Sequence, residues 1–210
     1  MGTVRQAIEA ISVHGSEPRA RTVQMTRQLQ HDDMMPVSIG RAVEHVTATQ
    51  LAGLILAVSA APKPADATRT ALTWGRMTPN GAEVDWDTPP DRRPLMLIEA
   101  LTGCIGMVWK EGGQGSMTNI VTQASFEITT THPHAIVTLN GQRDEYLPIG
   151  GSVHLPGFHR PCLISGTTIR QIAMALYEGP HHSAVMNTQP RNNRDPYREP
   201  ASVLTAPLDR

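Results

Sequence analysis

Apolar side chains at Val4, Ala7, Ile8 and Ile11 fall at i, i+3, i+4 and i+7, the spacing of one helical face, and predict a first helix over residues 3–13. Gly15 stops it. Ser16 is placed to cap a second helix over 18–31, with Glu17 and Pro18 in its first turn, where a missing proline donor does no harm. Met35-Pro36 ends that helix, because the residue before a proline is pushed away from helical angles, and 37–46 has no helical period. A loop or small hairpin is expected there. Thr47-Ala48-Thr49-Gln50 then has the form of a capping box, followed by a stripe of Leu51, Leu54, Ile55 and Val58.

From 62 to 94 the pattern breaks, with prolines at 62, 64, 79, 89, 90 and 94, and this stretch reads as a connector. A helix resumes over 95–109 with Ile98, Leu101, Ile105 and Val108 inward. It is weakened by Gly103 and Gly106 and closed by the glycines after Glu111. β-branched residues between Ile120 and Val137 predict two antiparallel strands broken at His132-Pro133. Short strands near 152–155 and 162–165 and a helix carrying Ile169, Ile172, Ala173 and Leu176 follow. Residues 179–210, with four prolines after Pro180 and no hydrophobic period, are expected to form a disordered tail. The class is therefore α+β, with units at 1–61 and 95–178 joined by 62–94.

Composition narrows the function. With 40% hydrophobic and 18% charged residues a core can form, but 4% aromatics leave it to aliphatic side chains and methionine. A net charge of −1 gives no long-range pull toward phosphate polymers or anionic lipid. Cys104 and Cys162 stand alone, so neither a disulfide framework nor a zinc finger is suggested, and a cytoplasmic setting is expected. Arg5 and Glu9 interrupt any leader-like apolar run, and 51–61 is too short to span a bilayer, so no membrane is expected.

The second helix carries the functional signal. At about 100° of turn per residue, Thr22, Met25 and Leu29 share one side while Gln24, Arg27, Gln28 and His31 share the other. Arginine and glutamine are the side chains that pair bidentately with guanine and adenine in a major groove, and Arg19 and Arg21 sit near the helix start, where phosphate contacts are usual. Water also selects a polar face on any surface helix, so the order of the surrounding parts matters.

That order of two helices, a helix end of two apolar residues and proline, an irregular excursion and a third capped helix resembles the winged helix-turn-helix of the MerR and excisionase group. In that group the second helix ends on a glycine-hydrophobic-hydrophobic-proline phrase leading to a basic wing. Asp33-Met34-Met35-Pro36 stands in its place here, with Ser38, Arg41 and His45 in the wing. The resemblance implies that Arg19, Arg21, Gln24, Arg27 and Gln28 face duplex DNA and that Arg41 reaches a phosphate from the wing. Asp33 departs from the glycine, the wing has one arginine, and 1–61 balances Arg5, Arg19, Arg21, Arg27 and Arg41 against Glu9, Glu17, Asp32, Asp33 and Glu44. The layout is also similar to small regulators of prophages.

Other chemistry has less to support it. His132, His134, His154, His159 and Cys162 include two zinc-ligand types but lie among turn residues with no second cysteine pair, and no metal is expected. Asp85, Asp87 and Asp91 alternate with prolines in a solvated stretch, and Cys104 falls on a core-facing stripe. No nucleophile elbow, phosphate loop or dinucleotide fingerprint occurs, so neither catalysis nor a cofactor is expected. The expected function is a sequence-specific, non-enzymatic transcriptional regulator of phage or prophage origin, acting as a homodimer through residues 95–178. The alternatives are a DNA-packaging factor of the small terminase type and a protein-binding inhibitor or adaptor.

Overall fold

The computed structural model describes residues 2–37, 45–89, 92–151 and 161–177. Helix α1 (Val4–His14) opens on a capping box in which the Thr3 hydroxyl accepts from the Gln6 amide and the Gln6 side chain accepts from the Thr3 amide. Helix α2 (Arg19–His31) starts one step later than the sequence suggests. Pro18 takes the cap position with no side-chain bond, while Ser16 adopts a left-handed φ of 56° and makes the turn instead of capping the helix.

The far end of α2 explains the Asp33-Met34-Met35-Pro36 phrase physically. Asp33 takes φ 58°, its amide donates to the Gln30 carbonyl at 3.3 Å, and the Met34 amide donates to the Leu29 carbonyl at 2.8 Å. This is a Schellman end, with Leu29 and Met34 both buried beneath it. The chain then returns so that His45 bridges to Thr3 and the Val46 amide donates to the Gly2 carbonyl. The expected wing falls mostly on 38–44, and Arg41 with it, outside the described residues.

Helix α3 (Ala48–Ala60) begins at the expected Thr47–Gln50 capping box and is buried on nearly every side, from Leu51 through Val58. The stretch read as a connector is instead structured. A 3-10 turn (Pro64–Asp66) leads into α4 (Ala67–Gly75), whose Ala67, Thr70, Ala71 and Trp74 point inward, and then into strand β1 (Thr78–Pro79). Pro64 sits at a helix entrance, where its fixed φ suits the first turn. Trp74 Nε1 donates to the Thr129 carbonyl at 3.0 Å, satisfying the one polar atom of a large buried ring.

Helices α5 (Leu97–Lys110) and α6 (Ser116–Thr122) precede the sheet. The run from Ile120 is thus helical at first, and β2 (Ser125–Thr129) begins only after Ala124. Strand β3 (Ala135–Leu139) turns through Asn140-Gly141, at φ 51° and 77°, into β4 (Gln142–Leu147). Positive φ at both central residues is the hairpin turn for which Asn-Gly is best suited. Strand β5 (Pro161–Ser165) leads into α7 (Gly166–Ala175), capped by Ser165. Any side chain at Gly166 would collide with the Val121 carbonyl, so this junction needs glycine. The expected strand at 152–155 and the tail at 179–210 lie outside the described residues.

The five strands form one antiparallel sheet in the order β1-β4-β3-β2-β5. The architecture is α+β. Phe126, Ile128, Ala135, Val137, Tyr146 and Ile164 form the buried face of the sheet and join a single hydrophobic core with residues of all the longer helices. The limits expected at 61 and 95 therefore do not divide the core, which runs from Ala7 on α1 through Ala67, Ala71, Trp74 and Met77 to Leu176. Packing of α1 on α7 and of α3 on α5 makes the join.

Candidate nucleic-acid interface

Helix α2 is held from behind by α1, α3, the 3-10 turn and α4. Thr22, Met25, Thr26 and Leu29 fill this inner side. The buried hydroxyl of Thr26 donates to the Thr22 carbonyl at 2.8 Å, and that of Thr22 to the Pro18 carbonyl, so polar residues sit inside without orphaned groups.

The outer side is a ridge. Ala20, Gln24, Arg27 and His31, at i, i+4, i+7 and i+11, are all exposed. Among the described residues neither Gln24 nor Arg27 has a hydrogen-bond or ion-pair partner. Their polar groups face water.

The other residues expected at the site have different surroundings. Arg19 is exposed and pairs with Glu9 at 3.2 Å, with side chains 59% and 60% accessible, an ion pair weak enough in water to exchange its carboxylate for a phosphate. Arg21 does not stand on the ridge. It is half-buried, donates to the Ala61 carbonyl at the end of α3, lies 3.8 Å from the Glu17 carboxylate and lines an open hollow with Ser59, Pro62, Thr130 and Thr131. Arg21 thus braces α2 against the end of α3. Gln28 donates to Asp32 Oδ2 at 3.0 Å, and His31 Nδ1 lies 2.8 Å from Asp32 Oδ1.

These contacts give the ridge a direction. The Thr68 hydroxyl, then His31 and Gln28, hold the Asp32 carboxyl below its usual pKa. The Asp32 carboxylate therefore puts negative charge at the carboxyl end of α2, next to Asp33 and beside carbonyls that are already partly negative. A polyanion meets repulsion at that end. The amino-terminal half, with Arg19, Gln24 and Arg27, is the half it could approach.

A further cation was not apparent from sequence. Lys63, just before the 3-10 turn that packs on α2, is exposed and without an ion-pair partner among the described residues. A single lysine in a proline-rich stretch has no period or motif to single it out, and only the packing of 64–66 onto α2 gives it a role.

The other candidates are engaged structurally. His134 is buried, with Nε2 2.8 Å from Glu145 and Nδ1 3.1 Å from the Thr129 hydroxyl. Burial pushes the Cys104 thiol up to about 11 and that of Cys162 upward as well, the opposite of what activates a nucleophile. Among the described residues no helix is long and apolar enough to cross a membrane. No family model matches the chain, and no curated protein or solved structure is significantly similar to it.

Proposed function

We propose that the protein is a sequence-specific DNA-binding regulator that presents the outer ridge of α2 to the major groove of duplex DNA. The observation that carries this is the contrast within one helix: Arg21 and Gln28 are tied to the protein, while Gln24 and Arg27, on the exposed ridge, have no partner among the described residues. Leaving an arginine and a glutamine free on a helix fixed along its whole inner side suits base-edge recognition, where a rigid element must carry side chains able to make paired hydrogen bonds. Arg19, after releasing Glu9, and Lys63 would neutralise flanking phosphates. Arg41 belongs to the wing of the same proposal, and a second copy of the chain would double the contact on a two-fold site.

The test is a titration of labelled random-sequence duplex and of pool-selected duplex at two salt concentrations. Binding that favours the selected sequence and weakens steeply with salt supports the proposal. A second proposal, a protein-binding adaptor using the same ridge, is favoured by the two acids at the end of α2 and the even charge balance of 1–61. It predicts no duplex binding at either salt and capture of a protein partner that salt affects little.

A further inference from the structure

On the proposed DNA-binding reading, we infer that the ridge recognises a short purine step, with Arg27 on a guanine, Gln24 on a neighbouring adenine and the Ala20 methyl against a thymine methyl. Two observations lead there. The ridge is one line of side chains, because positions 20, 24 and 27 lie on the same helical face and are all exposed. Gln24 and Arg27 are separated along the axis by about 4.5 Å at 1.5 Å per residue, close to the roughly 3.4 Å between stacked base pairs. The two side chains therefore address adjacent steps.

Chemistry assigns the bases. The guanidinium fork of Arg27, unpaired among the described residues, can donate twice, which matches the two acceptors of guanine, O6 and N7. The Gln24 carboxamide has one donor and one acceptor face, which matches N7 and the N6 amino group of adenine. A phosphate offers acceptors only and would use just the amide N–H of Gln24, whereas an adenine edge uses both its donor and its acceptor. Ala20 offers only a methyl group, and the thymine methyl is the one apolar feature of the groove.

The neighbours exclude a longer reading row. Gln28 and His31 are held by Asp32, and the acids at 32 and 33 repel the backbone where the helix ends. Recognition is confined to the first two turns and a half of α2.

Selection of bound duplexes from a random pool with the full-length protein, Gln24→Ala and Arg27→Ala tests this. The unaltered protein should enrich sequences with adjacent guanine and adenine on one strand. Arg27→Ala should weaken binding to the selected duplex by about 10- to 100-fold and lose preference at the guanine alone. Gln24→Ala should lose it at the adenine alone. Both variants should keep the helical circular dichroism and the salt slope of the unaltered protein, since both sites are exposed and neither is assigned to a phosphate. Duplex binding without base preference, or preference that survives both substitutions, would overturn the inference while leaving DNA binding in place. Failure to bind any duplex would overturn both.

Discussion

At the scale of single residues, function depends on which side chains the fold leaves free. Arg21 on α2 and Lys63 beside it are both cations, yet Lys63 is exposed with no partner among the described residues, while Arg21 donates to Ala61 and pairs with Glu17. Their removal should separate two effects. Lys63→Ala should lower the dependence of log affinity on log salt by about one unit and leave stability unchanged. Arg21→Ala should leave that slope as it is and destabilise the fold by about 1 kcal/mol, the usual net value of a hydrogen bond. Salt titrations and urea unfolding of the two variants would check both, and a reduced slope in the Arg21 variant would return it to the DNA-contacting set. Asp33 is a different case, holding φ 58° that glycine adopts at no steric cost, and holding a negative charge at a helix carboxyl end. Asp33→Gly should therefore raise the urea midpoint, by about 0.5–1 kcal/mol of stability with an unchanged slope.

At the scale of elements, the joints between helices carry titratable groups. Glu111, in the loop after α5, accepts from the amides of Thr118 at 2.7 Å and Met117 at 3.2 Å, capping the first turn of α6 from outside. The Thr118 amide first, and then that of Met117, hold its carboxyl below the usual 4.5. A depressed folded-state value means that this contribution to stability is present above the unfolded value and is lost as pH falls through the folded one. Glu111→Gln should therefore destabilise the protein in neutral buffer and make little difference in strongly acidic buffer. Urea unfolding at the two pH values reads this directly, and an equal difference at both would remove the carboxylate from the cap.

The same scale shows what could be read from sequence. Local chemistry gave α1, α3, α5 and α7, because capping residues and a period of 3.6 act within a few residues of one another. The outer ridge of α2 was legible in the same way. Helix α4 was hidden by the prolines around it, although Ala67, Thr70, Ala71 and Trp74 carry the helical period. Strand β4 was missed because Gln142 to Glu145 is polar, while Asn140-Gly141 was the signal that could have found it. Within the site, the withdrawal of Arg21 toward Ala61 and the arrival of Lys63 beside α2 depend on contacts between segments distant in sequence. No local pattern encodes them.

At the scale of the whole molecule, the single core decides how the recognition helix is held. Ala7, Ala10 and Ile11 of α1 and the nearly all-round buried face of α3 belong to the same cluster as Leu101 and Ile105 of α5 and Ile169, Ile172 and Leu176 at α7. Excising residues 1–61 would expose the sides of α1 and α3 that pack on α7 and α5, and would leave three short helices without most of their buried partners. Such a fragment should not fold. Its far-ultraviolet circular dichroism should lack helix, and it should bind selected duplex far more weakly than the full chain. The intact protein should unfold in one transition, with the helical signal and the fluorescence of the buried Trp74 and Trp109 changing together. A folded fragment that binds DNA as well as the full chain would show that the first three helices stand alone. The α2 ridge would then owe its position to α1 and α3 only, and the packing of α1 on α7 would have no part in holding it.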